Sequence, residues 1–527
     1  MGFSTIDYIV FAAYAALILF IGLWVSREKK GKEKDSADYF LASKSLPWWA
    51  IGASLIASNI SAEQFIGMSG SGFRLGLAIA TYEWMAAVTL LVVAWFFLPV
   101  FLQKGIFTMP QFLEVRYDNR VRTLLAVFWL AVFIFVNLTS VLYLGALAME
   151  NIMGVPLAYG MVGLALFSII YSIYGGLKAV AWTDVIQVIF LVGGGLVTTY
   201  VALDAYGGLG KLMGDFGDRF NMILFKGELI YTDDTGAAKD AYDLLPGLSV
   251  LIGGMWIANL YYWGCNQYII QRALAAKSIK EAQRGVAFAG YLKLILPLIV
   301  VIPGIVAFGL NAPIAKADAA YPWLLSSFVP SGLKGLAFAA LVAAIVSSLA
   351  SMMNSTSTIF TMDLYKPYIK KTASESELVF VGRVVAFLAM LVAGIVAYPL
   401  MGKSDQVFQN IQDWTGLVSP GVLAVFVMGM FYKKATANSA LVSALLSVPL
   451  SFGINQWLPS IPFMNRMGIV FLISLVLIMV ISYMEGKGKD SAKAISHGEV
   501  VREKDPIFTA AAAGIIVITT LLYAWLW

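Results

Sequence analysis

The sequence predicts an all-α polytopic membrane protein of about 14 transmembrane helices, arranged as a five-plus-five inverted repeat with discontinuous helices. Three observations predict this. The 527-residue chain is 60% hydrophobic and 13% charged, with a mean hydropathy of +0.81, whereas soluble domains are roughly half apolar and a quarter charged. Apolar stretches of about 20 residues, the length that spans a bilayer as a helix, begin near residues 7, 48, 77, 121, 156, 180, 247, 285, 333, 380, 406, 436, 465 and 507. The second and seventh of these are interrupted by polar and small residues and lie five spans apart. Equivalent helices an odd number of spans apart run in opposite directions, which is the mark of an inverted repeat whose broken helices hold a solute near the midplane.

The first stretch, residues 8–25, has no Lys or Arg before it and is followed by Arg27, Lys29, Lys30, Lys32 and Lys34. It reads as a retained helix with its N-terminus outside rather than a cleaved signal peptide. Alternating sides from there puts 26 of the 36 Lys and Arg residues in cytoplasmic loops and 9 outside, with Lys293 inside a span. That asymmetry follows the positive-inside rule and predicts a plasma-membrane protein, in a bacterium the inner membrane, with both termini outside. One long external loop, residues 205–246, is polar and rich in Gly and Asp. A charged cytoplasmic link, residues 486–505, precedes the last helix.

Other chemistry lacks its parts. The single Cys265 excludes an intramolecular disulfide framework, and the single His497, in a charged loop, excludes a His-rich metal or acid–base site. No P-loop and no HExxH motif is present, so ATP-driven transport, zinc chemistry and enzymatic catalysis find no support, and no cofactor is expected. The net charge of +5 sits in short loops and reports membrane topology rather than a nucleic-acid partner. Gly193-Gly194-Gly195 falls within an apolar helix, where close helix packing is its expected use.

The residues that carry chemistry are those that are costly in lipid. An ionisable side chain inside the bilayer costs on the order of 3 kcal/mol and needs a partner or a task. Glu83, early in the third span, and Lys293, in the middle of the eighth, meet that description. Two readings stand, a structural pair and a pocket. Asn59, Gln64, Asn259 and Gln412 add amides and Tyr262 an aromatic face, the combination that a neutral, many-hydroxyl solute such as a sugar needs. Amides between membrane helices also serve as glue, and Tyr or Trp as interface anchors. For a hard cation, carbonyls freed at a helix break plus neighbouring hydroxyls make a suitable cage. Ala57 and Ile60 flank the first break, and Ala344-Ile345-Val346-Ser347-Ser348 places two hydroxyls in the ninth span, where serines also back-bond to the preceding turn.

At Asn59-Ile60-Ser61-Ala62-Glu63-Gln64-Phe65, Tyr82-Glu83-Trp84-Met85, Tyr171-Ser172-Ile173-Tyr174-Gly175-Gly176-Leu177, Trp182-Thr183-Asp184-Val185-Ile186-Gln187 and Asn259-Leu260-Tyr261-Tyr262-Trp263-Gly264, the chain resembles the sodium/solute symporter family, in particular its sugar branch, over nearly its whole length. The resemblance implies a LeuT-like fold. Residues 48–204 and 247–433 would form its halves, preceded by an extra helix and basic linker (residues 1–47) and followed by three more helices (residues 434–527). It implies that Gln64, Glu83, Asn259, Lys293 and Gln412 hydrogen-bond a sugar braced by Asn59, with Tyr262 as inner gate and Trp263 beside it. Met68, Tyr82 and Phe408 would form an outer lid. Ala57, Ile60, Ala344, Ser347 and Ser348 would hold sodium, the transported coupling ion. The family's galactose pattern has a serine where this chain has Ala86, so one sugar hydroxyl loses a bond worth about 1 kcal/mol and the choice among hexoses is retuned. A second sodium site, or an ion exit, would use Asp184 and Ser351; with alanine at position 350, one sodium per sugar is expected. The expected partners are a small sugar, sodium and the lipid bilayer, the carrier being a monomer or homodimer. The rival readings are a symporter for another polar solute and a sugar sensor.

Overall fold

The structure is a computed structural model that describes residues 3–26, 35–233, 236–402, 407–496, 498, 500 and 502–527. The basic cluster from Arg27 to Lys34 and His497 lie outside them, as do the side chains of Tyr171 and Tyr174. Among the described residues the chain is almost wholly helical, and ten helices are long and apolar enough to cross a membrane. The second, fifth, seventh and eleventh expected spans fall on shorter or interrupted helices. The second, for example, is divided into Trp48–Asn59, Glu63–Met68 and Ser69–Leu75. A spanning helix satisfies its own backbone, so interruptions survive only where protein or a lined cavity takes up the freed groups.

Packing is closest around the ninth span, Leu333–Ile359, which is buried along nearly its whole length. Glycines permit this approach. A Cβ on Gly194 would stand 3.1 Å from that of Ala340, and Gly195 abuts Ile299 of the eighth span, so these two glycines serve helix packing, whereas Gly193 faces open space. The fifth and sixth spans form one helical stretch, Leu157–Tyr206, with a sharp corner at Gly176 (φ 62°, ψ −160°). That backbone region is essentially open to glycine alone, and the corner lets the chain turn directly beneath Tyr39.

Contacts between ends of the spans fix their relative order. Asp7, in the first helix, accepts the N–H groups of Gly332 and Gly335 at 2.8 Å each and so caps the ninth span. At the opposite end of the bundle, Leu46 exchanges backbone hydrogen bonds with Ala275 and Lys277. The loop of residues 205–246 carries a small antiparallel hairpin, Ile230–Thr232 with Ala238–Asp240, and is firmly docked. Arg219 donates to the carbonyls of Phe73 (2.9 Å) and Arg74 (3.2 Å), capping the end of the second span, and lies over the ring of Phe308. The Met222 N–H donates to the Leu526 carbonyl at 2.7 Å, which places the end of the last helix beside this loop.

The start of that last helix, Pro506–Trp525, is held by Arg284, which forks onto Asp505 at 2.6 and 2.9 Å. The Arg284 guanidinium, chiefly through these bonds, keeps the Asp505 carboxyl below the usual carboxylate range. The stabilisation is therefore complete above the unfolded carboxyl pKa of about 3.9 and lost as pH falls through the lower folded value. Hydrogen exchange across Pro506–Trp525 is expected to accelerate in that acid window in the native chain. In Asp505→Asn, exchange is expected to be faster at neutral pH and insensitive to the same acidification. Gly176→Ala is expected to cost about 1–3 kcal/mol, read as a fall in Tm in detergent.

Candidate substrate and ion site

The site begins where the second span comes apart. Helix Trp48–Asn59 ends as Ile60 turns extended (φ −76°, ψ 111°). Beyond it the backbone donors go elsewhere: Ser61 N–H to Gln64 Oε1 (2.9 Å), Glu63 N–H to Ser61 Oγ (3.0 Å) and Gln64 N–H to the Ser61 carbonyl (3.2 Å). The carbonyls of Ala57, Asn59 and Ile60 are left without their helical partners. From the ninth span, Ser348 Oγ donates to the Ser58 carbonyl at 3.1 Å and lies 3.4 Å from that of Ile60. Ala57 and Ala344 are fully buried in the same two helices. The structure thus brings Ile60 and Ser348 together, in an all-oxygen setting that suits a hard cation. Ser347 is turned away and donates to Asp184 Oδ1 at 2.5 Å.

Asp184 also accepts from Ser54 at 2.5 Å. Beside it lies Arg272, whose guanidinium donates to Ser54 (3.3 Å), to Ser351 and to the Tyr268 carbonyl. Ser351 is 3.0 Å from Ser58. The expected pair Asp184 and Ser351 therefore share one network, with a protein cation already inside it. Arg272, tallied above among loop charges, is fully buried.

Next to the break lies a cavity of about 80 Å³, open on one side. Asn59, Gln64, Glu83, Asn259, Lys293 and Gln412 all line it, as do Ala86, Tyr262 and Trp263. Lys293 donates to both Glu83 and Asn59; Asn59 Nδ2 donates to the Tyr262 hydroxyl at 2.9 Å, and Tyr268 donates to that hydroxyl at 2.5 Å. Glu83 and Lys293 are 3% and 1% exposed, so they are at once a buried ion pair and part of the cavity wall, and the two readings of them merge. Tyr262 and Trp263 meet edge to face at 5.2 Å, and Lys293 Nζ lies 5.0 Å from the centre of the Trp263 ring. On another side, Met68, Tyr82 and Phe408 complete the wall, with Tyr82 and Phe408 edge to face at 5.6 Å.

The seventh span is less broken than expected around Asn259 to Gly264. It widens into a π-turn at Tyr261–Cys265, leaves helical geometry at Gly253 and becomes extended at Asn266. Among the cavity residues not singled out from the sequence as site residues are the polar Glu63, Asn137 and Asn266. A polar residue inside an apolar run was the available signal for each.

Removing one member of a buried ion pair leaves an uncompensated charge at a cost of about 3–5 kcal/mol. Lys293→Met is expected to lower Tm sharply, and adding Glu83→Gln is expected to restore much of it while solute binding remains lost. Thermal unfolding and solute binding on the same samples check both.

The chain matches the sodium:solute symporter family over residues 39–447. It is 52% identical over 550 aligned residues to a sodium/glucose cotransporter of Vibrio parahaemolyticus, covering 100% of this chain and 99% of that one. A sodium/myo-inositol cotransporter 2 of Oryctolagus cuniculus is 35% identical over 474 residues, 85% of this chain and 69% of the relative. Among solved structures, a substrate-bound, outward-open Na+-coupled sialic acid symporter superposes with a TM-score of 0.79 at 25% identity, covering 92% of this chain and 98% of that one. A nucleobase-cation-symport-1 family transporter in a closed conformation gives 0.53 at 13% identity, over 92% and 99% of the chains, a likeness of fold alone. The fold is LeuT-like. The chain belongs to the sodium:solute symporter family, as a multi-pass membrane transporter and not an enzyme.

Proposed function

We propose that the protein imports a hexose, galactose or glucose, across the plasma membrane with one sodium ion per sugar, by alternating access. The observation that carries this reading is the adjacency of two chemistries at one helix break. Freed carbonyls meet Ser348 on one side, and a cavity of amides, aromatic faces and the Glu83–Lys293 pair lies on the other. The names of the glucose and myo-inositol relatives support a neutral polyol. So does the charge arrangement: Lys293 is the one cationic side chain among the described residues lining the cavity, and it is committed to Glu83. A carboxylate solute would have to compete for it.

In this reading Gln64, Glu83, Asn259, Lys293 and Gln412 hold the sugar hydroxyls and Asn59 braces Lys293 against Tyr262. Gln64 Oε1 is taken by Ser61, so its amide Nε2 is the group offered to solute. Tyr262, with Trp263 beside it, closes the inner side; Met68, Tyr82 and Phe408 close the outer. Ala57, Ile60, Ala344, Ser347 and Ser348 form the sodium cage once Ser347 releases Asp184. The two halves are residues 48–204 and 247–433, and both termini lie outside. Sodium arrives first and holds the broken second span in a shape that exposes the sugar groups, so that each ligand raises the affinity of the other by the same factor. Tyr262 then moves and the cage loses a ligand for inward release. About 100 mV, inside negative, supplies about 2.3 kcal/mol per ion and a tenfold sodium gradient about 1.4, together sufficient for roughly 500-fold accumulation.

Arg272 supports the single ion. Its guanidinium occupies the space that Asp184 and Ser351 would offer a second sodium, and two cations there would repel.

Proteoliposomes with an imposed sodium gradient are expected to accumulate radiolabelled galactose or glucose above equilibrium, and not to do so with potassium or proton gradients. Failure with both hexoses would move the assignment to another polar solute. The sodium-to-sugar flux ratio is expected to be one, and a reproducible value of two would overturn the single-ion assignment. Ser348→Ala is expected to raise the sodium half-saturation about tenfold, as for one charge-assisted contact of about 1.5 kcal/mol. Gln64→Ala is expected to weaken sugar binding about fivefold, as for one neutral bond of about 1 kcal/mol.

A further inference from the structure

We infer that Glu63, Asn137 and Asn266 form a second sugar subsite just inside Tyr262, which takes the hydroxyl groups of the sugar as it leaves for the cytoplasm. The inference rests on the reading of the protein as a sugar symporter and concerns a part of the cavity to which that reading gives no role.

Glu63 lines the cavity, and among the described residues its side chain has one hydrogen-bond partner, the neutral hydroxyl of Ser140 at 2.8 Å. The cavity's cation, Lys293, is bonded to Glu83 and Asn59 instead. Asn137 and Asn266 are 5% and 3% exposed, line the same cavity, and each has a buried Oδ1 without a partner among the described residues. Ser140 ties this group together, since its hydroxyl also lies 3.0 Å from the Asn137 carbonyl. An unpaired buried acceptor costs about 1–3 kcal/mol. Two such groups beside a carboxyl that no cation meets point to a ligand that brings hydrogen-bonding groups of its own.

The location points to the exit. Asn266 stands at the start of helix Gln267–Leu274, beyond Tyr262 in the direction in which the seventh span leaves the cavity. Phe133, one turn from Asn137, packs edge to face against Tyr268 at 5.5 Å, and Tyr268 donates to the Tyr262 hydroxyl. Glu63 and Tyr262 line the same cavity. The main site presents the mutually paired Glu83 and Lys293 together with amides. The inner group presents a carboxyl with no cation bonded to it and two carboxamides whose oxygens are unmet. Sugar hydroxyls act as both donor and acceptor, so a hexose crossing Tyr262 can exchange one set for the other, using the carboxamide Nδ2 atoms that a bare cation would find repulsive.

The experiment compares wild type, Glu63→Gln, Glu63→Asp and Asn266→Ser in right-side-out and inside-out membrane vesicles, with the hexose that the wild type carries. Half-saturation is measured for sugar on each face and for sodium. The expected result is that the ratio of internal to external sugar half-saturation rises at least fivefold in Glu63→Gln and in Asn266→Ser, and that Glu63→Asp recovers part of it. An unchanged ratio, or equal shifts on both faces, would overturn the subsite while leaving the transporter intact. A shift confined to sodium half-saturation would overturn it in favour of a cation site. If wild type moved no hexose at all, the functional reading and the subsite would fall together.

Discussion

The structure depends on one interruption of backbone hydrogen bonding, at Ile60. Lipid offers a freed carbonyl nothing, so a spanning helix can open only where other parts of the protein have come to meet it. Here they come from two directions. Ser61 and Gln64 satisfy the donors of the next turn, and Ser348 approaches the carbonyls from the ninth span. What remains unmet faces one place, next to the solute cavity. Break, ion cage and cavity wall are thus consequences of a single local failure of helical pairing. The tight burial of the ninth span is what makes that failure tolerable.

Charge is handled in the same way. Apart from Glu63, the ionic groups in this region are satisfied and connected. Glu83 meets Lys293, Lys293 meets Asn59, and Asn59 meets Tyr262; separately, Asp184 meets two serines and Arg272 spans from Ser54 to Ser351. A buried pair adds little net stability over apolar packing, whereas half a pair is costly. Such arrangements fix geometry more than they stabilise the fold. A transporter that must present a polar wall inside a membrane has reason to carry that cost.

Much of this was legible in the sequence because lipid enforces a simple rule. Polar residues within an apolar run mark places where the helix or its neighbours are doing something unusual, and Asn59 to Gln64 and the Glu83–Lys293 pair stand out for that reason. The external loop was legible as a loop, but not as a cap on the second span, since Arg219 gives no sign of reaching Phe73 and Phe308. Arg272 was the least legible. At the end of the seventh span it looks like one more loop cation, and only the packing of three helices shows it turned inward. Hydropathy also cannot see that the fifth and eleventh spans fall on shorter helices, because a break of two or three residues scarcely alters a 20-residue average. The seventh span was read as broken around Asn259 to Gly264, but the chain there mostly overwinds, and its clean departures lie at Gly253 and Asn266.

Tyr268 belongs to both networks. Its hydroxyl holds Tyr262, at the sugar cavity, and its carbonyl receives Arg272, at the ion side. Since the two contacts are made by one residue on a short helix, Gln267–Leu274, that helix is a stiff lever with little backlash. One residue therefore touches the sugar cavity through its side chain and the ion-side network through its backbone. Tightness of coupling in such a machine is set by how little slack the linkage holds, and here the linkage is a single amino acid long.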